Sequence, residues 1–225
     1  MDDNHKLVDI FSKDFSDYPV LSTELIAQIR TGKEVKDDQF DKIFPPYYHV
    51  QSQVHWSSIQ VARQISSWIT PLEARKFIDI GCGVGKLCLL LRILTDYKIY
   101  GIEQRRKLVS IANQVIRTNN FKNISIIQMN MLDLNWDDYD IYYLYNPFQE
   151  HIALGNFCIL ERDIELDQKF YAHYTSEVFR QLTWAKPGKM LITFHGYGGD
   201  MPSNWKLIKT KPIENGDLNM WIKES

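Results

Sequence analysis

The chain has 225 residues, 44% of them hydrophobic, with 26 basic against 28 acidic side chains and a formal net charge of −2. That is enough to bury one sizeable core, so one domain with a modest extension is expected. The near-zero charge supplies no global positive field, so neither nucleic acid nor an acidic membrane surface is expected as a partner, although balanced totals leave room for a local basic patch.

Three cysteines, Cys82, Cys88 and Cys158, cannot pair completely. They match no zinc-ligand spacing and no CxxC motif, so reduced thiols in a cytoplasmic protein are expected. The N-terminus opens Met-Asp-Asp-Asn-His with no long apolar run behind it. Neither a signal peptide nor a membrane span is expected.

Residues 1–45 read as short helical pieces, Leu7–Phe15, Ser22–Arg30 and Asp37–Phe44, broken by Pro19, Gly32 and Pro45-Pro46. Ser22 followed three residues later by Leu25 is an incomplete capping box, although Glu24 favours a helix start. Residues 57–69 carry Ile59, Val61, Ala62, Ile65 and Trp68 near helical spacing. After Pro71 strands and helices alternate: strand Lys76–Ile80, helix Lys86–Leu94, strand Lys98–Glu103, helix Arg106–Asn119 and strand Ile124–Gln128. Strand Asp140–Tyr145, helix Asp167–Trp184 and strand Lys189–His195 continue the pattern, and Trp205–Ile213 with Leu218–Lys223 closes it as an antiparallel hairpin. Such alternation predicts a mostly parallel sheet with helices on both faces.

Between the first strand and its helix lies Asp79-Ile80-Gly81-Cys82-Gly83-Val84-Gly85. Glycines belong where a turn is tight and the backbone approaches a ligand closely. The spacing is not G-x-G-x-x-G, which disfavours a pyrophosphate loop and an NAD-dependent oxidoreductase. Glu103, at the end of the second strand and about 20 residues beyond the loop, stands where a carboxylate accepts ribose hydroxyls and rejects a 2′-phosphate.

With both anchors in place, the chain resembles the class I S-adenosylmethionine-dependent methyltransferases from about Pro71 to its end. Phe77–Gly85 looks like the first motif of that family and Gly101-Ile102-Glu103 like its second. The resemblance implies a Rossmann-like seven-stranded sheet with an antiparallel last strand, and S-adenosylmethionine as cofactor, leaving as S-adenosylhomocysteine. It implies that Asp79 and the loop of Gly81, Cys82, Gly83 and Gly85 hold the methionine end, and Glu103 and Gln104 the ribose. Where the family has an acid facing the adenine amino group, this chain has Asn130, with Asp133 as the alternative and Met131 packed on the ring edge. His55-Trp56-Ser57-Ser58, Leu144–Phe148 and Phe194-His195-Gly196-Tyr197-Gly198-Gly199 also look like a little-characterised bacterial methyltransferase-like group. The first strand and loop are similar, too, to histone-lysine methyltransferases of this fold.

Ligands of open α/β sheets sit beyond the carboxyl ends of the strands. Tyr145-Asn146-Pro147-Phe148-Gln149-Glu150 is therefore expected to line the methyl acceptor's place, and Asn146 to touch cofactor and acceptor alike. The segment resembles the Asn-Pro-Pro-Tyr/Phe motif of amino-group methyltransferases but lacks the second proline. His195, past the fifth strand, is the candidate base, with Glu150 and Tyr145 as alternatives; a simple hydrogen-bonding role for His195 and a plain turn at Asn146 stay open. Tyr48, His55 and Trp56 read either as a lid or as aromatic packing. Arg105-Arg106-Lys107 reads as a solvated helix start. His49, His55 and His151 lack a supporting carboxylate pattern, so no metal is expected.

The expected organisation is a helical N-terminal cap over residues 1–50 and a methyltransferase domain over residues 51–225. The expected acceptor is a nitrogen or oxygen on a protein side chain or small molecule. The alternative is a non-catalytic sensor or scaffold that binds S-adenosylmethionine or a nucleotide through the same fold.

Overall fold

The computed structural model describes residues 18–72, 76–153 and 163–225, apart from the side chains of Val50 and Gln53. The helix expected at Leu7–Phe15, and Cys158, lie outside these residues.

Among the described residues four helices precede the sheet. Helix α1 (Thr23–Arg30) starts where Ser22 permits: its hydroxyl accepts from the Leu25 N–H at 3.1 Å. Helix α2 (Asp37–Asp41) stops short of Phe44 because the chain must leave the helical region before Pro45. Helix α3 (Pro46–His55) is absent from the expectations above. Pro45-Pro46 reads as a break, yet Pro46 takes the first helical position, where a missing N–H is harmless and φ is already set. Helix α4 (Ile59–Ile69) is capped by Ser58 and buries Val61, Ala62, Ile65 and Ile69 completely.

The sheet has seven strands in the order β3-β2-β1-β4-β5-β7-β6. Strands β1 (Lys76–Ile80), β2 (Lys98–Glu103), β3 (Ile124–Gln128), β4 (Ile141–Tyr145) and β5 (Met190–Phe194) run parallel. Strand β7 (Gly216–Lys223) inserts antiparallel between β5 and β6 (Trp205–Ile213). Pro212 lies in β6, the edge strand, where a missing donor is tolerated.

Helices α5 (Lys86–Leu94), α6 (Arg106–Thr118) and α7 (Gln168–Trp184) cover the faces. Helix α5 is buried all round, from Leu87 to Leu91, because α1 and α4 pack on its outer side. Ile29, Phe40 and Phe44 of the N-terminal helices thus join one apolar cluster with Phe77 of β1 and Leu89 of α5. A second cluster fills the opposite face, where Ile78, Tyr142 and Leu191 meet Tyr174, Val178 and Leu182 of α7. The strand order reverses between β1 and β4, and the crevice that such a reversal opens is where the site lies. No described helix is long and apolar enough to cross a membrane.

Candidate active site

At the end of β1 the chain folds back so that the Gly81 and Cys82 N–H groups both donate to the Ile102 carbonyl, at 2.9 and 3.0 Å. Gly83 follows with φ +55°, and a Cβ there would stand 2.6 Å from the indole nitrogen of Trp56. The position therefore needs glycine twice, for its left-handed backbone and for the ring above it. Gly83→Ala is expected to cost about 1–2 kcal/mol for the backbone alone. It should also displace Trp56, so calorimetry should show loss of ligand affinity beyond the fall in melting temperature.

Glu103 closes the other side. Its carboxylate is 6% exposed and accepts from the Gly83 N–H at 3.2 Å and the Arg105 N–H at 2.9 Å. Burial pushes this carboxyl above the usual range, while the Arg105 guanidinium, 3.4 Å away, opposes the rise. Arg105 is not solvated as expected: it is buried and also pairs with Glu150. The physical reason is its place just outside α6 with extended dihedrals, which turns it inward, while Arg106 and Lys107 in the first helical turn are exposed. The Glu150 carboxylate is thereby committed to an ion pair.

Asp79 is buried behind the loop, with the Cys88 thiol 3.7 Å from its carboxylate. Burial pushes its carboxyl up to about 7 from the usual 3.8, Cys88 opposing and Glu103 adding to the rise. The folded protein thus keeps a proton that the unfolded chain releases near pH 3.8. Its stabilising contribution is complete below about pH 4 and is lost as pH rises towards 7. Asp79→Asn should therefore match wild type at pH 4 and exceed it by about 2–4 kcal/mol at pH 8, read from denaturant melts.

The acceptor end is built by the neighbouring ends of β4 and β5. Asn146 takes φ +39° and His195 φ +56°, one residue past each strand. Asparagine tolerates this region better than most residues. The Asn146 N–H donates to the Gly196 carbonyl at 3.0 Å, which ties the two loops together. The Asn146 carboxamide lines the cavity and has no hydrogen-bond partner among the described residues. The His195 ring stacks on Tyr145 at 5.6 Å, lies against Gly216 and has Nε2 3.3 Å from the Asn215 carboxamide oxygen. The Tyr145 hydroxyl donates to the Val54 carbonyl of α3 at 3.4 Å, and burial pushes its phenol above the ordinary value, which argues against a base there.

These pieces enclose a cavity of about 630 Å³, a size suited to a cofactor-sized ligand. Gly81, Gly83, Glu103, Tyr145, Asn146 and His195 share its lining with His55, Trp56 and Arg105. Gln104 and Met131 border a small annex with mixed walls, where Ile102, Met129 and Phe148 meet Glu103, Arg105 and Glu150. Asp79 and Cys82 border a second annex behind the loop. Gly85 lines none of the three; it stands as the residue before α5. Asn130 lines none either, because it is engaged elsewhere: its oxygen accepts from the Leu132 N–H and its nitrogen donates to Gln104 and Tyr174. Asp133 is exposed. Sequence reasoning passed over Met129 and read Arg105 as solvated, and Phe148, expected beside the acceptor, borders the annex. Among the described residues no three His, Cys, Asp or Glu side chains gather as a metal site.

S-adenosylmethionine fits this geometry. A buried carboxylate and the close backbone of the glycine loop line one cavity, and a small annex with mixed polar and apolar walls adjoins it. The sheet order, the inserted antiparallel β7 and this site define a class I S-adenosylmethionine-dependent methyltransferase. Residues 72–207 match the family described as the methyltransferase domain, and the chain belongs to that family. No curated protein matches the chain.

Similar solved structures include a methyltransferase from Geobacter sulfurreducens, 13% identical over 92% of this chain and 98% of that one, with a TM-score of 0.56. An rRNA methylase from Escherichia coli is 10% identical over 91% and 78%, with a TM-score of 0.54. A mutant of MtNAS in complex with S-adenosylmethionine is 9% identical over 90% and 73%, with a TM-score of 0.52. The expectation that nucleic acid is not a partner is corrected here. An rRNA methylase has this same fold, and a total charge of −2 says nothing about the one surface that meets an acceptor.

Proposed function

We propose that the chain methylates a nitrogen acceptor seated against Asn146, with the segment of residues 1–50, helical where it is described, serving as a cap on the catalytic domain of residues 51–225. The observation that carries this reading is the Asn146 carboxamide, without a hydrogen-bond partner among the described residues and held in a left-handed conformation on the cavity wall where β4 and β5 end. In such a site the loop of Gly81, Cys82, Gly83 and Gly85, with Asp79 behind it, holds the methionine end of the cofactor. Glu103 accepts from the ribose hydroxyls, and Gln104 and Met131 border the purine. Asn130 acts by fixing Gln104 and Tyr174.

The cofactor supplies a sulfonium-bound methyl group. The chain's own residues supply position and desolvation. The Asn146 oxygen accepts from an acceptor N–H and so aims the nitrogen lone pair. Trp56 and Tyr145 keep water from the space between. A His195 Nε2–H donated to Asn215 leaves Nδ1 as the basic nitrogen that takes up the departing proton.

The likeness to an rRNA methylase places RNA amines among the acceptors to be tested, beside protein and small-molecule amines. The test is transfer of a labelled methyl group from S-adenosylmethionine to separated RNA, protein and small-molecule fractions. Label in acid- and base-stable N-methyl groups supports the reading. Label found only in esters or ethers contradicts it.

A further inference from the structure

The most buried cation among the described residues is Lys86, the first residue of α5 and only 1% exposed. It lines neither the main cavity nor its annexes, and no step of methyl transfer uses it. Its ammonium lies 2.5 Å from Asp37 Oδ1 and 2.9 Å from Asp41 Oδ1, and it donates hydrogen bonds to Asp41 Oδ2 at 3.1 Å and Ser52 Oγ at 2.6 Å. Two carboxylates of α2 and one hydroxyl of α3 thus surround it.

Two of these partners also govern the chain around them. The Asp37 Oδ1 atom accepts from the Ile59 N–H at 3.0 Å, which sets the start of α4. The Ser52 carbonyl accepts from the Trp56 N–H at 3.3 Å, which ends α3. Trp56 is the residue whose indole lies over Gly83. A buried lysine is tolerated only when it is fully paired, so this cluster can form only with α2 and α3 docked.

We propose that Lys86 is a positioning residue for the cofactor. Its ion cluster latches α2 and α3 to the helix that follows the glycine loop, and so holds Trp56 over that loop. The proposal rests on the reading of the cavity as the cofactor site and adds to it the group that keeps the site covered. A merely structural Lys86 would change stability without changing ligand affinity in the folded protein.

The experiment combines amide hydrogen exchange on the free full-length protein with calorimetric titration by S-adenosylhomocysteine. Lys86→Met is expected to speed exchange over residues 46–56 relative to β4 and β5, and to weaken binding about tenfold. Ser52→Ala guards against failure of that variant to fold, because it removes only hydroxyl hydrogen bonds and leaves both ion pairs. It is expected to weaken binding about threefold, with Ser52→Thr restoring affinity. Wild-type affinity in both variants, or unchanged exchange over residues 46–56, overturns the proposal. A wild-type chain that took up no S-adenosylhomocysteine would refute the cofactor reading instead, and exchange in the free protein would still decide the latch.

Discussion

Asn146→Ala is expected to lower methyl transfer by about 100-fold while leaving S-adenosylhomocysteine affinity within about twofold. The asymmetry follows from where its groups are spent. The Asn146 backbone N–H is engaged with Gly196, so truncating the side chain leaves the joint between the two loops in place. The carboxamide has no partner among the described residues, so its removal orphans no buried group. What is lost is an acceptor aimed at the incoming nucleophile, and such groups act on turnover more than on cofactor affinity. Single-turnover transfer and calorimetry on the same preparation measure both quantities. Unchanged turnover would remove Asn146 from the acceptor's place.

Glu103→Ala should have the opposite signature, with S-adenosylmethionine affinity falling by about 1–3 kcal/mol, or roughly 5- to 150-fold. Two effects add. The ribose loses its charged acceptor, and the Gly83 N–H and Arg105 lose theirs at the same moment. Arg105 keeps only Glu150, so the loop after β4 should loosen as well. Glu103→Gln preserves the volume and can still accept from Gly83, so it should lose less than Glu103→Ala. Equal affinity in wild type and Glu103→Ala would sink the ribose assignment.

Much of this architecture was legible in the sequence because its signals are local. Strands β1 and β4 are buried on both faces and read as short continuous apolar runs such as Phe77-Ile78 and Ile141–Leu144. The glycine loop and Glu103 were found by position alone, since a tight turn and a carboxylate 20 residues on must fall at consecutive strand ends. Helix α3 was missed because Pro45-Pro46 carries the same letters whether it breaks a helix or begins one.

The errors at the site have a different origin. Arg105 finds Glu150 at 45 residues' separation, and Asn130 finds Tyr174 at 44. No local pattern announces either pairing, so Arg105 was wrongly read as solvated, and the contacts that engage Asn130 stayed out of sight when it was assigned to adenine. Lys86 is similar: a lysine opening a helix reads as surface until Asp37, Asp41 and Ser52 are brought around it. Acceptor chemistry is the least legible part, because it depends on the shape left between Tyr145, Asn146 and His195 rather than on any spacing.

The most direct test of the central claim is calorimetric titration of the full-length protein with S-adenosylmethionine, S-adenosylhomocysteine and NAD. The account predicts micromolar binding of the first two, one ligand per chain, with NAD silent. Heat from NAD with none from S-adenosylmethionine would contradict it, and would reassign the glycine loop and Glu103 to a dinucleotide.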